Sequence, residues 1–123
     1  MKRDMKLVRE VLLAVESDES LPTVGRGLLV AVDGASEDLV GYHVRLLVEG
    51  GYLLGAETLA GAVPLVLGLT WKGHDFLDAT RPKGIWEIVL AAAGKVGSAS
   101  IDMAFEAAKE LAKQQLRSAT GLV

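Results

Sequence analysis

The chain has 123 residues, of which half are hydrophobic and none is cysteine, and its formal net charge is −3. This length favours one compact domain that can bury an adequate apolar core, and the lack of cysteine excludes disulfides, thiol nucleophiles and thiolate metal sites. Residues 1–80 carry 7 basic and 12 acidic side chains and residues 81–123 carry 6 and 4, which argues against a general nucleic-acid binder, because such proteins concentrate positive charge around their reading element.

The hydropathy pattern predicts a soluble, cytoplasmic protein without membrane contact. Lys2 and Arg3 precede an apolar run, but Arg9 and Glu10 interrupt it and no small-residue cleavage site follows, unlike in a signal peptide. The longest uncharged stretches are too short and too glycine-rich to span a bilayer.

The first 51 residues predict a helix, a strand and a second helix. Asp4 is the expected N-cap of a helix that runs to about Glu16, with apolar residues at helical spacing. The β-branched, glycine-broken run 23–32 predicts a strand. Ser36 is the expected N-cap of the second helix, which runs to Glu49 and ends at two glycines.

A β-hairpin and a third helix are predicted next. Residues 52–59 and 62–69 have the composition of two strands, with a turn at Ala60-Gly61 and with Pro64 typical of an edge strand. Thr70 is the expected cap of a helix over 71–79, which Pro82 prevents from continuing.

Two C-terminal helices are predicted over 84–95 and from a Ser98 or Ser100 cap to Leu116. The predicted fold class is therefore α+β: a winged-helix-like core (helix, strand, helix, two-stranded wing, helix) with two C-terminal helices.

The predicted division is a core over 1–81 and a helical extension over 82–123, within a single structural domain. The extension is expected to pack on the core or on a second subunit. A helix-turn-helix requires a supporting helix before its recognition helix. At this place the sequence predicts a strand over 23–32, so the helix-turn-helix motif is incomplete.

Several segments carry a family resemblance, and the most specific is the string Leu-Thr-Trp-x-Gly-His-x-Phe-Leu within Leu69–Asp78; the others are Met1–Met5, Tyr42–Glu49 and Ile85–Trp86. From Met1 to about Glu87 the chain resembles the bacterial and prophage family catalogued as a domain of unknown function (number 2513). The resemblance implies a winged-helix-like fold and a phage-related gene neighbourhood. It implies no activity and no catalytic residues.

The helix over 37–49 occupies the position of a DNA-reading helix, but its expected exposed arc is acidic. The arc of about 120° groups Arg45 and Gly41 with Glu37, Asp38 and Glu49. Such a face repels phosphates, which leaves Arg45 as the one candidate for contact with a base edge. The predicted wing adds one acid and no base.

The best basic feature lies on the first helix, where four side chains are candidates for contact with phosphates: Lys2, Arg3, Lys6 and Arg9. The alternative is a solvated face in which these bases alternate with Asp4, Glu10 and Glu16, and the alternation favours this interpretation.

No catalytic, cofactor or metal pattern is present in the sequence, so the chain is predicted not to be an enzyme. His43 lies on the apolar arc of its helix and is expected to be a core histidine with one hydrogen-bond partner. His74 with Asp75 and Asp78 is a weak metal pattern without a second cluster of ligands.

The C-terminal helices carry the strongest sign of a partner. Trp71 and Trp86 are expected to be packing anchors, and the helix over 85–93 is apolar nearly all round, so it requires cover on more than one side. The prediction is a homodimer or protein-partner interface formed by Ile85, Trp86, Val89, Leu90, Phe105 and Leu111.

The predicted function is therefore a non-enzymatic protein-interaction module, with no cofactor. The alternative is a DNA-binding transcriptional regulator that acts as a dimer. DNA is the disfavoured partner, because the alternative depends on fold analogy and on a few basic residues.

Overall fold

The computed structural model describes residues 1–18, 30–57, 63–97 and 99–121. The chain forms two compact units, Met1–His74 and Asp75–Val123. The division falls seven residues before the predicted boundary at 81/82. The residues that follow His74 therefore belong to the C-terminal unit.

Two helices of the N-terminal unit form where capping and spacing predict them. Helix α1 spans Met5–Ser17, and the Asp4 carboxylate accepts hydrogen bonds from the first free N–H groups of the helix. Helix α2 spans Glu37–Glu49, and the Ser36 hydroxyl oxygen accepts from the backbone N–H of Leu39 at 3.2 Å. Each cap satisfies donors that have no partner inside a helix.

An antiparallel hairpin, β1 (Leu53–Ala56) and β2 (Leu65–Leu69), follows α2. Both strands are shorter than predicted, and an irregularity of the register between Leu54 and Gly55 interrupts the pairing. Pro64 lies before β2 rather than within it, which agrees with the missing N–H of proline. The predicted turn at 60–61 lies outside the described residues.

The predicted strand at 23–32 lies mostly outside the described residues. Its last three residues, 30–32, are described and form no strand. Among the residues that the structure describes, the sheet has two strands.

Helix α3 spans Trp71–Thr80 and begins where predicted. The Thr70 hydroxyl oxygen accepts from the backbone N–H of Gly73 at 3.0 Å and donates its proton to the carbonyl of Gly51. Thr70 therefore caps α3 and also ties it to the turn that follows α2.

Trp71 is not a packing anchor, because its side chain is 85% exposed. The close approach of α3 to the hairpin is made by Gly73, two residues further along the helix. Residues two apart point about 200° apart on a helix, so Trp71 faces away from that contact.

The C-terminal unit contains α4 (Ile85–Val96) and α5 (Ile101–Thr120), with Ser100 as the N-cap of α5. Its core includes the ring of Phe76, whose centroid lies 5.8 Å from those of both Trp86 and Phe105. The helices, strands and their order confirm an α+β fold, and the run α2–β1–β2–α3 is consistent with a winged-helix-like core.

Candidate interaction surface

The six residues predicted to form an interface divide into two groups. Ile85, Trp86, Val89 and Phe105 are buried in this chain alone, whereas Leu90 and Leu111 are half-buried. The four buried side chains contribute to the core of the C-terminal unit and expose little surface to a partner. The accessible surface lies beside them.

The exposed side of α4 consists of two neighbouring rows of residues, each spaced by four positions. One row is Glu87, Ala91 and Lys95, which we call the charged row; the other is Ile88, Ala92 and Val96, which we call the apolar row. Residues spaced by four lie one above the other on a helix. In the apolar row, Ile88 is 55% and Val96 is 59% exposed.

Sequence reasoning missed the apolar row and selected Ile85, Trp86, Val89 and Leu90 of α4 instead. The signal that identifies the row is the spacing of Ile88, Ala92 and Val96 on a helix whose opposite side already carries Trp86.

Two cavities lined by residues of both α4 and α5 lie beside the apolar row, and we refer to them together as the groove. Its first part is a cavity of about 150 Å³, which we call the hairpin cavity because it lies inside the helical hairpin of α4 and α5 and not at the β-hairpin. Met103 of α5 stands at its rim and is 53% exposed. The lining is entirely apolar and mostly small: Val89, Ala92, Ala93, Val96, Ala99, Met103, Ala104 and Ala107.

The other end of the groove is wider and more polar. A shallow cavity of about 490 Å³ lies there between Ile88 of α4 and Leu111 of α5, with Gln114, Gln115 and Ser118 along its edge. The groove therefore has one end lined by apolar residues and another end that also carries hydrogen-bonding groups.

Most charged side chains near the groove already have a partner on their own helix. Lys109 pairs with Glu106 at 2.7 Å and Lys113 with Glu110 at 3.4 Å. Glu87 and Lys95, the charged residues of α4, form no ion pair with any other described residue.

The residues proposed for DNA contact differ in exposure. Lys2, Arg3 and Lys6 are exposed at the start of α1, and the Lys6 amine lies 4.0 Å from Glu10. Arg9 and Arg45 are half-buried and have partners in this chain.

The expected exposed arc of α2 is interrupted at Gly41, which is buried. A Cβ atom at this position would lie 2.8 Å from a methyl carbon of Val63, so the end of the hairpin covers the middle of the arc. The exposed residues that remain include Glu37, Asp38 and Glu49, and this face stays acidic.

His43 is a fully buried core residue that links α2 to the start of α1. Its Nδ1 lies 2.8 Å from the carbonyl oxygen of Leu39, and its Nε2 lies 2.8 Å from the backbone nitrogen of Asp4. A carbonyl can only accept and an N–H can only donate, so the ring is neutral with its proton on Nδ1. The sequence indicates one partner, and the structure shows two.

His74 is exposed, and among the described residues no three histidine, aspartate or glutamate side chains are close enough to hold a metal ion. A cavity of about 200 Å³ in the N-terminal unit lies between the end of α1 and β2, with Val15, Glu16, Leu54 and His74 in its wall. Its lining mixes charged, polar and apolar groups.

No helix in the described ranges is both long and apolar enough to cross a membrane.

Comparison with known proteins gives a family but no activity. An uncharacterized protein of Haemophilus influenzae is 30% identical over 117 residues, which cover 92% of this chain and 93% of that protein. No solved structure matches. The model of the family described as hypothetical protein (DUF2513) matches residues 2–100, beyond the segments in which the resemblance is visible by eye. The chain therefore belongs to this family of unknown function.

Proposed function

We propose that the chain is a non-enzymatic protein-interaction module and that the groove between α4 and α5 is its contact surface. The observation that carries this proposal is the hairpin cavity, an apolar hole of about 150 Å³ with exposed aliphatic side chains at its rim. A phage-related setting belongs to the same proposal and rests on the family resemblance.

Three of the four large exposed apolar residues in the described part of the C-terminal unit are grouped, and this grouping distinguishes them from ordinary surface residues. Single exposed apolar side chains are normal, whereas contiguous patches mark binding sites. Ile88, Val96 and Met103 all border one groove. Full burial of such a side chain stabilises a complex by about 1.5–3 kcal/mol before the costs of association.

The shape of the groove fits a helix better than an extended peptide. Its floor is lined with alanines, which allow a third helix to approach to within roughly 8–10 Å, axis to axis. Recognition of a helix by a groove depends on apolar anchors at helical spacing rather than on free backbone groups.

DNA binding as a dimeric regulator is the less favoured alternative. Its support is the exposed group Lys2, Arg3 and Lys6, and against it stand the acidic face of α2 and the cover of Val63 on Gly41. We expect no binding to duplex DNA in fluorescence anisotropy at low salt. Binding with a steep salt dependence that Lys6→Ala reduces would favour the alternative.

A charge in the groove is expected to abolish partner binding. We expect Ile88→Glu and Met103→Glu each to weaken capture of partner proteins at least about tenfold, because a carboxylate buried against an apolar lining is strongly unfavourable. Capture by the immobilised chain from a lysate of its source bacterium, with quantitative mass spectrometry, measures the effect.

Leu116→Glu is the matched control for these variants. Leu116 is 65% exposed on α5 but does not line the groove, so this variant is expected to retain the partners. Circular dichroism verifies the fold of all three variants. Equal retention of the same proteins by all of them would exclude the groove as the contact surface.

A further inference from the structure

We infer that the occupant of the groove is a second copy of this chain, with α4 packed antiparallel on α4 of its partner. The inference rests on the proposed function, because it takes the groove as the contact surface. It adds the identity of the partner and the geometry of the contact.

The first argument is the placement of charge on α4. Glu87 and Lys95 are exposed and lack an ion-pair partner within the described part of the chain. Each lies four residues from Ala91, or about 6 Å along the helix axis. The charged row is therefore symmetric in position about Ala91 and opposite in sign at its two ends.

Such a row is complementary to itself in one orientation only. When two copies cross antiparallel at Ala91, Glu87 of each copy lies opposite Lys95 of the other, and the two-fold axis produces this pair twice. A parallel crossing would place Glu87 opposite Glu87 and Lys95 opposite Lys95, which is repulsive.

The apolar row fits the same crossing. In an antiparallel register that pairs Glu87 with Lys95, Ile88 of one copy lies opposite Gly94 of the other and about 3 Å along the helix axis from Val96. Val96 lines the hairpin cavity, so Ile88 of each copy enters the hairpin cavity of its partner. Near the crossing point the side chains are Ala91 and Ala92, which allow the helices to approach closely.

The volume of the hairpin cavity agrees with this occupant. A cavity of about 150 Å³ holds a group of the size of benzene, and the side chain of isoleucine has four carbon atoms. The lining is apolar, as the packing of one helix side chain between those of another requires.

Four of the six charged residues of α5 do not compete for the charged row. Glu106 and Lys109, like Glu110 and Lys113, are already paired within α5. Glu87 and Lys95 are therefore available to a partner, and the partner whose charges are spaced to match them is α4 itself.

Charge reversal tests the orientation. We expect Glu87→Lys and Lys95→Glu each to raise the dissociation constant of the dimer about tenfold, because each substitution replaces two exposed ion pairs by two contacts between like charges. The double variant E87K/K95E exchanges the two charges and is expected to restore the dissociation constant to within about threefold. Sedimentation velocity over a concentration series gives these constants.

Lys83→Glu is the matched control. Lys83 is exposed and lies two residues before α4, and its replacement by glutamate changes the charge by the same amount as Lys95→Glu. It is expected to leave the dissociation constant unchanged. A loss of the dimer in the control equal to that in Lys95→Glu, or no rescue by the double variant, would overturn the antiparallel crossing.

A disulfide tests the crossing point directly. The chain has no cysteine, so Ala91→Cys carries a single thiol close to the two-fold axis. Two cysteines whose Cα atoms lie roughly 4.4–6.8 Å apart form a disulfide, and mild oxidation is expected to give a covalent dimer. Leu116→Cys is the control and is expected to remain a monomer on a non-reducing gel.

The outcomes separate this inference from the proposed function. If the chain stays monomeric at tens of micromolar while Ile88→Glu still abolishes capture of partner proteins, the inference of a second copy is wrong and the groove remains a contact surface for another protein. A dimer that Ile88→Glu and Met103→Glu leave intact excludes the groove, and the inference fails with it.

Discussion

Replacement of Gly73 by alanine is expected to lower the free energy of unfolding by about 2–3 kcal/mol, as overpacking of a tight contact does. Gly73 is buried on α3 where the helix touches the start of the hairpin. A Cβ atom at this position would overlap the carbonyl oxygen of Tyr52 and lie 3.3 Å from a methyl carbon of Leu69. The clash is with backbone, so no rotation of a side chain relieves it.

The backbone at Tyr52 is held from both sides and has little freedom to withdraw. Its N–H donates to the carbonyl of Leu47 at 2.9 Å, and its carbonyl accepts from the N–H of Thr70 at 3.2 Å. The ring of Tyr52 is buried, with the amine of Lys72 at 4.5 Å from its centre. A shift that accommodates alanine must therefore weaken the hydrogen bonds that join Tyr52 to Leu47 and to Thr70.

Gly94→Ala is the matched control, because it is the same change in a helix without the clash. A Cβ atom at Gly94 meets no atom within 4 Å, and alanine is a better helix former than glycine by about 1 kcal/mol. Urea denaturation followed by circular dichroism is expected to show a lower midpoint for Gly73→Ala and an unchanged or higher one for Gly94→Ala. An unchanged midpoint for Gly73→Ala would contradict the close contact of α3 with Tyr52.

The helices and their caps were predictable because their determinants are local. Asp4, Ser36, Thr70 and Ser100 each precede a run with helical spacing, and each caps a helix in the structure. A cap requires only one oxygen and the N–H groups two or three residues later, so a short window of sequence contains all the information.

The covered faces were not predictable, since they depend on contacts between residues distant in sequence. Trp71 has the character of a core residue, but the approach of Gly73 to Tyr52 turns it outward. Gly41 lies on the polar arc of α2, but Val63 covers it. In the same way, the composition of α4 indicates that it needs extra cover but not which side remains exposed.

His43 shows how a correct prediction from sequence can still miss the role of a residue. Its place on the apolar arc of α2 indicates burial, and the structure confirms it. The partner that sequence reasoning could not supply is the N–H of Asp4, 39 positions away. In a capping box, a glutamate or glutamine at the third helical position accepts from this N–H. Leu7 occupies that position in α1, and His43 takes over the role.

His43→Ala is expected to lower the free energy of unfolding by about 3 kcal/mol, since it leaves a cavity and two polar groups without a partner. His43→Gln is expected to lower the free energy of unfolding by less, because the amide oxygen of glutamine can still accept a hydrogen bond from the N–H of Asp4. His74→Ala, the other histidine and an exposed one, is expected to change stability by less than about 0.5 kcal/mol. Urea denaturation ranks the three variants, and an equal loss in His43→Gln and His43→Ala would mean that the hydrogen bond to Asp4 contributes nothing to the packing of α1 on α2.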